Sequence, residues 1–210
     1  MPNHESDFIA GTKTCADWKV ARAQLVDSDD TATWESVFKE FFLKRLELRY
    51  LGPIKVLQDN GTFQGEGFSI AAIQCSLIEF LESAVQGTSY RYHLRAGETL
   101  GSFEYSSSKA IFESFLTTRI PFRDEFTDSV ARDFYEGVRC GLLHEAQTKK
   151  GWRIRAIGSR IIDADGKILF RDNFQNGLLQ FVEDYGIQLR TNKEYQAAFI
   201  RKFDSLCHTK

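Results

Sequence analysis

The chain has 210 residues, and 27 lysines and arginines against 29 aspartates and glutamates give it a net charge of −2. This length favours one domain, and a composition of 42% hydrophobic and 27% charged residues is typical of a soluble globular protein. The nearly balanced charge excludes a protein whose whole surface coats nucleic acid, although it allows a local basic site.

The sequence predicts neither secretion, nor a membrane segment, nor a bound metal. The N-terminal sequence MPNHESDFIAGTK is polar and acidic, and no stretch approaches the roughly 20 apolar residues of a membrane helix. The cysteines form no CxxC pair: Cys15, Cys75, Cys140 and Cys207. We therefore expect a cytoplasmic protein with reduced thiols. Because no metal-ligand spacing, GxGxxG or Walker pattern occurs, we expect no metal and no cofactor.

Helical periodicity dominates the chain. Residues 1–28 are expected to form a loosely ordered segment with a short helix near 14–26, and residues 29–210 a single helical-bundle domain. Apolar residues at helical spacing predict helices over 34–50, 68–85, 106–118, 129–147, 173–185 and 193–207. We expect Gly52-Pro53 to end the first of these. The helix over 68–85 is apolar nearly all round, which places it centrally.

A β-hairpin is predicted late in the chain, near residues 152–170. Asp165-Gly166 is a turn signal between two short β-prone runs, and the sequence alternates before them from Trp152 to Ile157. The predicted fold class is therefore an all-α helical bundle with a small late β-hairpin.

One helix carries residues suited to catalysis, in the sequence DFYEGVRCGLLHEAQ over 133–147. Its core stripe is expected at Phe134, Val138 and Leu142, with Cys140 and His144 four residues apart on another face. Arg139 lies between the stripe and that face, and its side chain is long enough to turn towards the imidazole. Gly141 either lets a second backbone approach closely or permits a local bend.

The RCGLLH segment resembles the Arg-x(4–6)-His motif of the HEPN superfamily, whose members are small all-α bundles. By position, Arg139 matches the family arginine and His144 the family histidine. Many members have Asn, Asp or His directly after the arginine, where this chain has Cys140, a weaker hydrogen-bonding group. The resemblance implies a metal-independent endoribonuclease, a homodimer that brings two motifs together, and a toxin or phage-defence setting with an antitoxin or other protein partner.

The same two residue types suit RNA cleavage on chemical grounds. Attack by the 2′-hydroxyl needs a base for one proton and an acid for the leaving oxygen, and imidazole titrates near neutral pH. A guanidinium such as that of Arg139 holds the extra negative charge of the phosphorane. One histidine does not easily serve as both base and acid in a single turnover, so two copies of His144 across a dimer belong to the hypothesis.

Structural roles compete with these catalytic ones. A lone histidine on a helix is more often a hydrogen-bond partner within the fold, and Arg139 has acidic candidates nearby in Glu136, Glu79 and Glu82. Glu79 and Glu82 lie three residues apart on the central apolar helix, where a buried carboxylate needs a partner. They either orient Arg139 as auxiliary groups or form the exposed edge of their helix.

A basic segment follows the motif directly. Between residues 146 and 162 the chain has no acid and these basic residues: Lys149, Lys150, Arg153, Arg155 and Arg160. A positive field beside a phosphate-chemistry site favours RNA, whereas a solvated hairpin edge would also be rich in Lys and Arg. Trp152 and Tyr135 are candidates to stack on an unpaired base, or to pack between hairpin and bundle.

The alternative function is binding without catalysis. In this case the helical bundle binds a nucleotide, RNA or a protein partner through the same groove. Arg139 still contacts an anion, while His144 contributes only to binding. The salt dependence of RNA affinity separates both functions from a purely structural role.

Overall fold

The computed structural model describes residues 4–26, 28–62 and 64–208, and within them the chain is mostly helical. Its contacts group into two compact units. The first consists of the described parts of Met1–Pro53, Ser83–Ser106 and Asp184–Lys210, and the second of Ile54–Glu82 and Ser107–Glu183. Buried residues of the described N-terminal segment, Ile9 and Trp18 among them, belong to the first unit.

The described residues of the N-terminal segment form a small hairpin and a helix. Strand β1 (Phe8–Ala10) pairs antiparallel with β2 (Lys13–Thr14), and Ile9 is buried. The Arg45 guanidinium donates a hydrogen bond of 2.7 Å to the Ile9 carbonyl. Helix α1 (Cys15–Leu25) follows, as predicted, with Thr14 and Asp17 forming a capping box at its start. The sequence MPNHESDFIAGTK lacked helical periodicity because part of it forms a hairpin.

The helix predicted to end at Gly52-Pro53 continues past the proline, so that prediction was wrong. Alpha-helical and π-helical stretches alternate along it: α2 (Thr31–Val37), Phe38–Leu43, α3 (Lys44–Leu46), Glu47–Leu51 and α4 (Gly52–Asp59). The Gly52 N–H donates to the Glu47 carbonyl, five residues back. A Cβ on Gly52 would lie 2.8 Å from that oxygen, so glycine permits the wide turn that admits Pro53 without ending the helix.

The first unit has an aromatic core. Besides α1 to α3 it contains the end of helix α5 (Glu66–Gln86), the parallel pair β3 (Ser89–Tyr90) and β4 (Glu104–Tyr105), the end of α9 (Arg171–Leu189), and α10 (Lys193–Leu206). Trp18 packs against three phenylalanine rings, those of Phe41, Phe199 and Phe203. These contacts make α1 part of the unit's core.

The second unit contains most of the remaining helices. They are most of α4, the larger part of α5, α6 (Ser108–Thr118), α7 (Asp128–Phe134), α8 (Cys140–Glu145) and the first part of α9. The Phe134 ring lies at its centre, packed against Phe112, Phe126 and Phe174. The predicted helices over 68–85, 106–118 and 173–185 are confirmed, with small differences at their ends.

The predicted hairpin is present within a three-stranded sheet of the second unit. Strand β6 (Ile162–Asp163) pairs antiparallel with β7 (Ile168–Phe170), and β5 (Arg153–Arg155) pairs parallel with the other edge of β7. In the turn, Asp163 Oδ1 accepts a hydrogen bond of 2.9 Å from the Gly166 N–H. A mostly helical fold with a small late sheet is therefore confirmed.

Among the described residues, α5 is the one helix long and apolar enough to cross a membrane. The expectation that no stretch reaches this length was therefore wrong. However, 61% of its most apolar 18-residue window is buried inside the protein. That burial is typical of the core helix of a globular domain, which agrees with its predicted central position.

Candidate active site

The motif helix begins and ends close to its predicted bounds. Thr127 accepts a hydrogen bond from the Val130 N–H at the start of α7, a π-helical turn over Tyr135–Arg139 follows, and α8 ends before Ala146, whose φ is 53°. Arg139 is the last residue of the π-helical turn. Single π-helical turns inside α-helices occur frequently at functional sites.

Two glycines let the following chain fold back against this helix. A Cβ on Gly137 would lie 2.5 Å from Trp152 Cδ1, and one on Gly141 would lie 2.6 Å from the Gln147 carbonyl oxygen. The Lys149 N–H donates a hydrogen bond of 2.7 Å to the Gly137 carbonyl. The expected close approach of a second backbone at Gly141 is therefore present, and it holds the start of the basic segment along the helix.

The Arg139 side chain is partly buried and lines a cavity of about 130 Å³. Its guanidinium lies 5.4 Å from the centre of the Tyr135 ring, and Nη2 is 3.7 Å from Glu79 Oε2. In the described part of the chain the guanidinium donates no hydrogen bond to another residue. The remaining walls of the cavity come from α5 and α8: Ala72, Cys75, Ser76, Glu79, Leu142 and Leu143.

The two glutamates of α5 have different partners. Glu79 lies beside Arg139, at a distance beyond hydrogen bonding. Glu82 is fully buried and accepts two hydrogen bonds from Arg119, of 2.8 and 2.9 Å, and one of 2.9 Å from Ser114. Of the two expected orienting groups, the structure therefore brings only Glu79 to Arg139.

Two thiols lie in this region, and they differ in position. Cys140, in the auxiliary position of the motif, is half-buried, whereas the buried Cys75 lines the Arg139 cavity. Burial raises the pKa of Cys75 to about 12, although the charge of Arg139 acts in the opposite direction. Sequence reasoning missed Cys75, and its spacing of four residues from Glu79 on one helix was the available signal.

His144 is exposed and does not line the Arg139 cavity. Five residues at about 100° per residue separate the two side chains by about 140° around the helix. The guanidinium also lies over Tyr135 and beside Glu79, rather than turned towards the imidazole as expected. Within one chain, the two groups therefore face different directions.

Much of the basic segment is neutralised by acids. Lys149 Nζ lies 2.9 Å from Glu145, and Lys150 pairs with both Glu136 and Asp133. Hydrogen bonds from Lys150, which has the larger effect, and from Lys109 lower the pKa of Glu136 to about 2. Arg160 lies 3.6 Å from Glu125.

Two arginines keep their charge uncompensated. Arg153 and Arg155 are exposed, and no ion pair joins either of them to another described residue. Arg153 donates a hydrogen bond of 3.0 Å to the Gly166 carbonyl. The positive field that the sequence predicts for the whole segment is therefore concentrated on β5.

Neither aromatic candidate is available to stack on a base. Trp152 is 3% exposed, its Nε1 donates a hydrogen bond of 2.9 Å to Asp133, and its ring packs edge-on against Phe134. Tyr135 is also buried, with its hydroxyl 3.0 Å from Ser108 Oγ. Both residues pack within the second unit.

In the described ranges, no group of three or more His, Cys, Asp or Glu side chains is placed to hold a metal ion.

Comparison with known proteins gives no relative from which a function can be transferred. No protein-family model, no curated protein and no solved structure matches the chain. The resemblance to the HEPN superfamily therefore rests on Arg139, His144 and the mostly helical fold.

Proposed function

We propose that the protein is a metal-independent endoribonuclease of the HEPN type that acts as a homodimer. Arg139 binds and stabilises the scissile phosphate. Each site contains one His144, which either removes the 2′-hydroxyl proton or protonates the leaving 5′-oxygen, and water completes the other proton transfer. One observation carries the proposal: the Arg139 guanidinium lines a cavity without donating a hydrogen bond to any described residue. Its donors are therefore available to a phosphate.

The surroundings of Arg139 suit a guanidinium that receives an anion. The Tyr135 ring supports one face of it, and Glu79 attracts it from 3.7 Å without fixing it by a hydrogen bond. A phosphate that accepts two parallel N–H hydrogen bonds gives a stronger, shorter contact than the existing ion pair. Glu79 then acts as a positioning residue that keeps the side chain in the cavity.

The separation of Arg139 and His144 around the helix is the reason for the homodimer. An exposed imidazole is accessible to a bound substrate and can act as a general acid or base. Because His144 does not line its own chain's cavity, the proposal places it opposite Arg139 of a second copy. Leu143, which is 61% exposed beside His144, supplies apolar surface for this contact.

RNA would approach along β5. Arg153 and Arg155 are the members of the basic segment without a neutralising partner in the described structure, so they contribute most to phosphate attraction. Lys149 and Lys150 contribute less, since each already pairs with a carboxylate of the motif helix.

Cleavage in EDTA tests the proposal. The purified full chain is incubated with unstructured and structured RNA, beside His144→Ala, Arg139→Gln and the control His93→Ala, which changes an exposed histidine of the first unit. We expect wild type and His93→Ala to yield fragments ending in 2′,3′-cyclic phosphate, and His144→Ala to be slower by roughly 10²–10⁴. Equal, negligible cleavage by wild type and His144→Ala would remove the nuclease function.

The second candidate function is binding of RNA or a nucleotide without turnover. Cys140 in the auxiliary position and the divergence of Arg139 and His144 favour it. In this case Arg139→Gln weakens salt-dependent RNA binding, while no variant changes the rate of RNA breakdown.

A further inference from the structure

A second cavity lies at the start of α5, in the second unit. Its walls are the first turn of α5, strand β5 and the start of α9: Gly65, Glu66, Gly67, Phe68, Ile154, Arg155, Ala156 and Arg171. We propose that this cavity binds a phosphate group, held between Arg155, Arg171 and the N-terminus of α5. The site uses neither Arg139 nor His144 and shares only Arg155 with the proposed RNA-approach surface, so it goes beyond the proposed nuclease function.

The first argument is the unusual state of Arg171. Its side chain is only 8% exposed, yet its guanidinium donates no hydrogen bond to any described residue. Nε in particular is buried without an acceptor. Its contacts with carboxylates are longer than hydrogen bonds, 3.6 Å to Glu66 and 3.5 Å to Asp172. Buried polar groups are nearly always satisfied, so this guanidinium indicates a missing acceptor in the cavity that it lines.

Both neighbouring carboxylates are engaged elsewhere. Glu66 Oε2 accepts a hydrogen bond of 3.0 Å from the Gln64 N–H. Asp172 Oδ1, the atom nearest Arg171 Nε, accepts one of 2.8 Å from Gln58 Nε2. Each carboxylate still forms an ion pair with Arg171, but these hydrogen bonds hold it too far away to accept one from the guanidinium.

The second argument is the first turn of α5. A helix of 21 residues carries partial positive charge at its N-terminus, where backbone N–H groups bind anions. Gly67 brings this turn close to Arg171, since a Cβ there would lie 3.2 Å from Nη1. The exposed Arg155 adds a second guanidinium to the same cavity, without an ion pair to a described residue.

The cavity volume indicates how much of a ligand enters. At about 140 Å³ it is close to engineered cavities of about 150 Å³ that hold one benzene molecule. Pockets for drug-sized ligands measure roughly 300–1,000 Å³. A single phosphate group therefore fits inside, and the rest of a nucleotide would extend over the exposed Arg155 side.

Calorimetric titration tests the site at constant ionic strength, with inorganic phosphate and AMP as separate probes. The full chain is compared with Arg155→Gln, Arg171→Met and the control Arg132→Gln, which changes an exposed arginine elsewhere in the second unit. We expect saturable phosphate binding, unchanged in Arg132→Gln, about tenfold weaker in Arg155→Gln and lost in Arg171→Met. Because Arg155 is exposed, we expect Arg155→Gln to fold, so it tests the phosphate site even if Arg171→Met unfolds.

The two probes separate the sources of the phosphate. Tighter binding of AMP identifies a nucleotide, and equal binding identifies a free phosphate; either result supports the site. Absence of saturable binding by both probes, or wild-type affinity in Arg155→Gln, overturns it. Loss of binding in an Arg139→Gln variant with full binding in Arg171→Met assigns the phosphate to the candidate active site and also overturns the inference.

Discussion

Arg119 holds the buried carboxylate of Glu82 through two parallel hydrogen bonds, Nε to Oε2 at 2.8 Å and Nη2 to Oε1 at 2.9 Å. Glu82 itself is 0% exposed. This pair joins α5 to the residue that follows α6, and it explains how a carboxylate is tolerated on a largely apolar helix. The two glutamates three residues apart on α5 thus have different roles. Glu82 is structural, whereas Glu79 belongs to the candidate site.

We expect Arg119→Met to lower the free energy of unfolding by about 3–5 kcal/mol, because it removes the charged partner of a buried carboxylate. Urea denaturation followed by circular dichroism measures this change. Arg123→Met is the matched control, since Arg123 is half exposed and lies 3.7 Å from its partner Asp124. Equal urea midpoints for the two variants would contradict a structural role for the Glu82–Arg119 pair.

Gly137→Ala is expected to destabilise the second unit by about 1–3 kcal/mol. The new Cβ would lie 2.5 Å from Trp152 Cδ1 and 3.0 Å from the Lys149 carbonyl, so the backbone beside the helix must shift. Urea denaturation and near-ultraviolet circular dichroism of the tryptophans report the change. Gly101→Ala, whose Cβ would make only ordinary contacts from 3.4 Å, serves as control. An unchanged tryptophan signal in Gly137→Ala would contradict the close packing.

The ion pairs of Glu136 predict a pH dependence of stability. Hydrogen bonds from Lys150 and Lys109 depress the pKa of Glu136 to about 2, against an ordinary value of 4.5. A depressed carboxyl pKa adds stability that is complete above about pH 4.5 and is lost as the pH falls towards 2. The stability difference between wild type and Glu136→Gln should therefore be constant at neutral pH and shrink below pH 4.5.

Urea midpoints measured between pH 7 and pH 2 check this expectation, with Glu194→Gln as control for the loss of an exposed carboxylate on α10. A difference between wild type and Glu136→Gln that grows on acidification would reverse the expected sign.

The basic segment should contribute unevenly to RNA binding. Arg153→Gln is expected to reduce the slope of log affinity against log salt by about 0.7, the value for one phosphate contact with a single strand. Lys150→Gln should change the slope less, because Lys150 already pairs with Glu136 and Asp133. Fluorescence anisotropy with labelled single-stranded RNA at several salt concentrations measures both. Equal slopes for both variants and wild type would exclude β5 as an RNA-binding surface.

Local signals explain what the sequence could predict. The Asp165-Gly166 turn is an example, since the Gly166 N–H bonds to Asp163, three residues earlier, and the signal therefore lies within the turn itself. The prediction that the helix ends at Pro53 failed because it assumed an ordinary α-helix, which a proline ends. Here the Gly52 N–H bonds to the Glu47 carbonyl five residues back, and this π-helical turn accommodates the proline. Nothing in the local sequence shows that such a turn will form.

The two cavities differ in how far they could be predicted. Arg139 stood out through its spacing from His144, although the direction of its side chain depends on Glu79, sixty residues earlier in the chain. Arg171 lies more than one hundred residues after Gly67, and neither forms a pattern alone. The pairing of Lys149 with Glu145 follows an i, i+4 spacing that is visible in the sequence. The partners of Lys150, Glu136 and Asp133, lie fourteen and seventeen residues earlier and form no such pattern.

Mixing two inactive variants tests the central claim most directly. If Arg139 of one copy and His144 of the other form one site, then Arg139→Gln and His144→Ala, unfolded and refolded together, produce mixed dimers with one intact site. Cleavage of RNA in EDTA should then exceed that of either variant refolded alone. A mixture as inactive as its components, beside an active wild type, would contradict a site shared between two copies.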